Sequence, residues 1–319
     1  MKVIKSYRKI SLDKYEKYIL TALSKDMHYP HKKLSSRLKI SEQLVGYKIK
    51  KLIEQEVIKP SLIVNFQALG LEMWAVLVSH LTIKDIEGVE NHPTTYLAEE
   101  LLGEYRYLCI HVTNDIDSVI AELYKDSIIR LVPILGQYSD EFNGYKIKDF
   151  EKEIYYRLPE RYSQEPLERY DYKTLLAISK KPDESFLSIS KRTGMSRAVI
   201  SERYSKLLKE GVILKNRFAC DIYSMEFEAY IMMISIKPKD KKSLLQALLR
   251  NHFTGHIYSS PNLIIFNYIC PQNTDLQKMI SQLKDNYDIQ ISVYQNSGTY
   301  YINTMPEYVK RYIEEKIKT

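Results

Sequence analysis

At 319 residues the chain exceeds what one ordinary core organises, and 45% hydrophobic residues suffice to fill two or three. No apolar run approaches the roughly 18 residues of a membrane span, and the basic start MKVIKSYRKI lacks an apolar signal core, so a cytoplasmic protein without membrane contact is expected. The net charge of +7 is uneven: residues 1–66 hold 15 Lys and Arg against 6 Asp and Glu, residues 166–218 hold 12 against 6, and the remainder carries net −8. Localised positive charge of this kind is the electrostatic footprint of a polyanion binder.

In chain order, a helix is expected over Asp13–Lys25, with Ile19, Leu20 and Leu23 inward. His28–Ile58 follows as a helix-turn-helix: Leu34/Leu38, a turn at Lys39-Ile40-Ser41, then Leu44/Val45/Ile49/Leu52/Ile53 at helical spacing. Ser41 stands where a hydroxyl can cap the second helix. Val57–Val64 is extended, as a small wing or a lead-out. Strand Trp74–Ile83, a helical turn near Ile86, two strands around Gly103, a helix from Asn114 or Asp115 and strand Ile128–Leu135 give the order β-α-β-β-α-β, a ferredoxin-like layer. Helical periodicity also fits Thr94–Leu102. The polar stretch 138–167 contains a strand-like Tyr145–Phe150 and reads as a connector.

The plan then repeats. A shift of 155 residues aligns the two stretches without a gap, so that Ile40-Ser41 meets Met195-Ser196, Lys51-Leu52 meets Lys206-Leu207 and Val57-Ile58 meets Val212-Ile213. A helix over Asp171–Ser179 and a helix-turn-helix over Phe186–Glu210 are followed by strand Glu228–Lys237 and helix Lys241–Asn251. A hairpin over His256–Cys270 turns at Pro261-Asn262; helix Asp275–Asp285 and strand Ile289–Gln295 complete the repeat, with Gly298–Asn303 and a C-terminal helix as extras. The fold class is α+β: two winged or helix-turn-helix DNA-binding units, each followed by a ferredoxin-like βαββαβ domain. The expected domains are 1–66, 67–150, a linker at 151–167, then 168–222 and 223–319.

LDKYEKYILTALSKD (12–26), ISEQLVGYKIKKLIEQEVIKPSLIVNFQALGLE (40–72) and the copy MSRAVISERYSKLLKEGVILK (195–215) resemble the leucine-responsive regulatory protein (Lrp/AsnC) family. Leu69-Gly70, Val57-Ile58 and Ser41/Val45/Ile49/Leu52 fit its pattern, with Lys48 for the usual Arg, which the copy keeps as Arg203. The resemblance covers nearly the whole chain, duplicated. It implies a transcription regulator whose sheets pair, as a homodimer or as a pseudo-dimer within one chain, with a small-molecule effector. The family's Thr-Gly-x-x-Asp effector loop appears as Leu102-Gly103-Glu104-Tyr105-Arg106 and as Ser260-Pro261-Asn262-Leu263, without its Asp.

Double-stranded DNA is therefore the expected partner. Gln43, Tyr47 and Lys50 in the first unit and Arg197, Ser201 and Ser205 in the second are the candidate base readers, with Ser41 and Ser196 at the helix starts. Lys32, Lys33, Arg37, Lys51, Lys191, Arg192, Arg203 and Lys206 are candidate phosphate contacts. No catalytic set, metal site or cofactor is expected: His28-x-x-His31 lacks a third ligand, and Cys109, Cys220 and Cys270 stand apart. The chain thus reads as a non-enzyme. The alternative is enzymatic, because sirohaem decarboxylases of haem biosynthesis resemble this architecture; His80, His92, His111, His252 and His256 would then contact the tetrapyrrole's carboxylates.

Overall fold

The computed structural model describes residues 10–124, 127, 129–139, 166–225, 227–251, 253–271 and 276–318. Tyr145–Phe150, most of the 151–167 linker and His252 lie outside the described residues. The first helix-turn-helix comprises α1 (Lys14–Lys25), α2 (His31–Leu38) and α3 (Glu42–Glu54). Asp13 and Glu16 form a reciprocal capping box on α1, and the Ser41 hydroxyl accepts from the Leu44 amide at 3.1 Å, which fixes where α3 starts. With that phase, Val45, Ile49 and Leu52 share the buried face. Leu44, expected to be buried with them, sits one residue earlier on the turn and is 38% exposed.

β1 (Ile58–Val64) pairs antiparallel with β7 (Ile213–Cys220), with Ser61 opposite Arg217. The extended piece that the sequence left as wing or lead-out is thus half of a two-stranded ribbon joining the two repeats. Between these strands lie β2 (Met73–Val78), α4 (Ile83–Asn91), β3 (Thr95–Leu102), β4 (Tyr107–Val112), α5 (Ile116–Leu123), β5 (Ile129–Ile134), β6 (Gly136–Ser139) and the helices α6 (Arg169–Lys180), α7 (Phe186–Thr193) and α8 (Arg197–Lys209). β8 (Phe227–Ile236), α9 (Pro238–Arg250), β9 (Thr254–Ser259), β10 (Leu263–Pro271), α10 (Leu276–Asn286), β11 (Ile289–Ile302) and α11 (Glu307–Lys318) follow. Strand β2 is shorter than Trp74–Ile83, because Thr82 and Asp85 form a capping box that starts α4 at Ile83. Within Thr94–Leu102, which also fitted a helix, Thr95–Leu102 is strand, its hairpin turning through Gly103 at φ 153°.

The described strands of the main sheet run β5-β2-β4-β3-β11-β8-β10-β9-β6. Each half keeps the ferredoxin-like order, and the final strand of each crosses to the other half. β11 pairs with β8 through Gln295 and with β3 from Gln295 to Ile302, so Ile289–Gln295 and the expected extra Gly298–Asn303 are one strand. β5 pairs with β2, and one residue later β6 pairs with β9; the amide of Leu135 between them bonds Ser259 O at 2.7 Å. The two ends of the strand order are therefore neighbours in the chain, and the sheet closes on itself.

Side chains alternate across this closed sheet with the two-residue period of a strand. Ala75, Leu77, Leu108 and Ile110 cluster with Ile231, Met233, Tyr258 and Ile265 inside. Val76, Val78 and Cys109 pack under α4 and α5, and Met232, Ile234 and Phe266 under α9 and α10. The first helix-turn-helix leans on the opposite half, with Leu20 and Leu52 sharing a cluster with Phe218 and Ile222, whereas the second leans on both halves, with Leu175 and Leu207 sharing one with Leu62 and Phe66 and with Val309 of α11. Among the described residues no helix is long and apolar enough to cross a membrane.

Candidate active site

The expected base readers lie where a groove could be met. Gln43, Tyr47 and Lys50 are exposed on α3, as are Arg197, Ser201 and Ser205 on α8, although Ser205 Oγ bonds Ser201 O at 2.9 Å. Ser41 and Ser196 spend their hydroxyls on capping. Lys32, Lys33, Arg37 and Lys191 are exposed, with Lys33 over the Tyr29 ring and Arg37 reaching Tyr18 Oη.

The remaining candidate phosphate contacts are engaged by the protein's own carboxylates. Lys51 bonds Glu16 at 2.8 Å and Lys48 bonds Asp13 at 2.5 Å; the second unit repeats this with Lys206 on Asp171 at 2.9 Å and Arg203 on Glu168 at 2.8 Å. All eight positions correspond at the 155-residue shift. Glu16 and Asp171 are buried, so each clasp ties the first helix of its unit to the third through a desolvated carboxylate. Burial opposes ionisation of Glu16, yet the hydrogen bond from Lys51 leads the opposing effects and its carboxyl stays below the usual range. Arg192 is likewise held, by Glu184 at 2.6 Å and Ala177 O at 3.0 Å.

Polar chemistry instead converges beneath the β1/β7 ribbon. A cavity of about 260 Å³ is walled by Ser61 and Ile63 of β1, Arg217 and Ala219 of β7, Tyr96 and Glu99 of β3, His256 of β9, Asn267 and Ile269 of β10, and Ile302 of β11. Arg217 is 5% exposed; its Nη2 lies 3.5 Å from His256 Nε2, and among the described residues no carboxylate pairs with it. Glu99 accepts from Asn267 Nδ2 at 3.2 Å, and Asn296 also approaches its carboxyl. Glu99 Oε2, Arg217 Nε, His256 Nδ1 and Asn267 Oδ1 are buried atoms that complete no hydrogen bond among the described residues. Leaving one such group unmet costs about 1–3 kcal/mol, so four around one cavity favour its taking up ordered water or a polar ligand.

The electrostatics follow from that burial. Glu99 is pushed up to about 7 by desolvation, against the hydrogen bonds of Asn267 and Asn296. His256 is driven down to about 3 by burial and by the charges of Arg217 and Lys215, so its ring is neutral. The phenols of Tyr96 and Tyr258 are raised by burial. Leu62 of β1 occupies the position equivalent to Arg217 at the 155-residue shift and is buried in the core, so the guanidinium belongs to one repeat only.

The other expected histidines lie elsewhere. His80 is exposed, while His92 and His111 join Thr94 and Tyr124 in a closed network, with His111 Nε2 2.8 Å from Tyr124 Oη and Nδ1 3.0 Å from Thr94 Oγ1. Burial, then the charge of His92, drives His111 down to about 3. Because His111 and His256 are neutral in the fold but charge near 6.5 when unfolded, their contribution is intact above pH 6.5 and falls away toward pH 3. Urea midpoints measured between pH 7 and 4 should drop steeply, and His111→Gln should flatten part of that slope; an unchanged slope contradicts the assignment.

Residues 167–213 match the family of winged helix-turn-helix DNA-binding domains. Among curated proteins, no sequence matches the chain. Over the full length the chain is similar in structure to the siroheme decarboxylase NirDL, at 16% identity and a TM-score of 0.56, covering 96% of this chain and 99% of that one. The same enzyme in complex with an iron-uroporphyrin III analogue gives 16% identity, a TM-score of 0.57 and the same coverage. LrpC of B. subtilis matches 40% of the chain and 96% of its own, at 18% identity and a TM-score of 0.35. The expectation of a non-enzyme is thereby overturned: the fold that spans 96% of the chain is one that an enzyme uses.

Proposed function

We propose that the chain is an enzyme of the siroheme decarboxylase type, acting on a tetrapyrrole carboxylate in the cavity under the β1/β7 ribbon. The observation that carries this reading is Arg217, a buried guanidinium with no carboxylate partner among the described residues, beside His256, Asn267 and Glu99. A guanidinium so placed binds a carboxylate through two parallel N–H···O bonds. Ile63, Ile222, Ile269 and Ile302 supply apolar walls for the macrocycle. The volume is below the roughly 300 Å³ usual for a whole drug-sized ligand. It takes a carboxylate-bearing edge, with the rest of the ring across the opening. His256, uncharged above about pH 3, orients the carboxylate by hydrogen bonding. Incubating the full chain with siroheme should shift the tetrapyrrole absorbance bands and yield a product lighter by carbon dioxide; unchanged siroheme and unchanged spectra sink the reading.

A second reading, DNA binding by the helix-turn-helix units, is favoured by the exposed α3 face, where Tyr47 is 64% exposed. It is weakened by the clasps, which occupy Lys51, Arg203 and Lys206. If DNA is bound, Lys50→Ala should lower the slope of affinity against salt by about one, and Lys206→Ala should act on stability instead. Fluorescence anisotropy with a labelled duplex across a salt series separates the two.

A further inference from the structure

We propose that Glu99 is the proton donor of this cavity, a buried carboxylic acid sharing the site with Arg217 that delivers its proton to the substrate carbon from which carbon dioxide has departed. The proposal rests on the decarboxylase reading and adds the acid that such a reaction needs.

Glu99 comes from the first half, on β3, whereas Arg217, His256 and Asn267 come from the second. It is 5% exposed, accepts a hydrogen bond from Asn267 and is approached by Asn296, and meets no cation in an ion pair among the described residues. No ion pair joins it to Arg217 among the described residues, although both wall one cavity. A buried carboxyl denied a cation avoids the cost of desolvated charge by keeping its proton. That leaves the guanidinium uncompensated, which suits a single substrate carboxylate. An ionised Glu99 would instead compete with that substrate for Arg217.

Tyr96 and Tyr258 act on Glu99 directly, and the other titratable groups on its cavity wall are His256, Arg217, Cys220 and the half-buried Lys59 of β1. Both phenols are held above their ordinary range, and a neutral imidazole with a value of about 3 is a poor acid near neutrality. Glu99, near 7, is matched to proton transfer at that pH. In the step, the bond between the substrate carbon and its carboxylate breaks with the electron pair staying on carbon, and carbon dioxide leaves. The pair takes the proton of Glu99, forming a C–H bond, and the resulting carboxylate is reprotonated from solvent.

The test uses the full chain with siroheme as probe. The wild type should decarboxylate below pH 7 and lose rate above it. Glu99→Gln, whose amide oxygen can keep the bond from Asn267, should bind siroheme about as tightly yet turn over about 100-fold more slowly or worse. Glu99→Asp should recover part of the rate with a displaced pH profile. Infrared difference spectra of the free protein should show a protonated-carboxyl band that titrates near pH 7 and is lost in Glu99→Gln. A Gln variant with wild-type rate and profile, or the absence of that band, overturns the role of Glu99 while an active wild type keeps the decarboxylase reading standing. A wild type that leaves siroheme unaltered overturns both.

Discussion

Replacing Arg217 by methionine is expected to leave the fold as stable as before or more so, while weakening tetrapyrrole binding by about 100-fold or more. The two effects have opposite signs because the guanidinium is buried without a carboxylate partner among the described residues. In the empty protein its desolvation is uncompensated, and an apolar side chain of similar length removes that cost. In the proposed complex the same charge would meet the substrate carboxylate, and its loss would leave that anion buried alone. Urea unfolding read beside a siroheme titration measures both; a variant that binds normally, or that loses stability by several kcal/mol, contradicts this account.

Asp171→Ala is expected to destabilise the protein by about 3–5 kcal/mol, the range for removing one partner of a buried ion pair. Asp171 is fully buried, with Lys206 at 2.9 Å and Arg203 at 3.5 Å. Truncation removes the buried acceptor at the junction of α6 and α8 and leaves Lys206 and Arg203 with Glu168 alone, at 3.7 and 2.8 Å. Combining Asp171→Leu with Lys206→Met should recover much of the loss, since an apolar pair of similar volume replaces the ionic one. Thermal unfolding of the single and double variants decides it: a surface role for Lys206 predicts a loss below about 1 kcal/mol for Asp171→Ala.

Much of the scaffold was legible in the sequence, for local reasons. Ser41 is a cap at the expected position, Ser196 caps α8 at the equivalent place in the repeat, and Pro261-Asn262 turns the expected hairpin. The mixed α+β fold with a winged helix-turn-helix and ferredoxin-like sheets could be read because periodicity and turn chemistry are near-neighbour properties. The cavity could not be read that way. Glu99 and Asn267 are 168 residues apart and meet only because β11 and β6 cross between halves. His256 was a candidate, but Arg217 and Glu99 stood in strand segments with only their charge to mark them. The basic residues of the helix-turn-helix units misled for a related reason: Lys51, Arg203 and Lys206 show their charge in the sequence but not their partners. The 155-residue shift does contain the missing signal, since Asp13 and Glu16 recur as Glu168 and Asp171 along with those bases.

The crossing strands also bear on how the chain emerges from the ribosome. The free edge of β3 is complete once residue 102 is out, but its partner β11 ends at residue 302, about 200 residues later. Until then a mostly buried strand edge of the first half stands open, the kind of edge that recruits foreign strands. Native pairing of such distant segments is slow to nucleate. Synthesis therefore passes through a long interval in which the nascent first half exposes this edge, and truncation before β11 should yield insoluble chains rather than a working half.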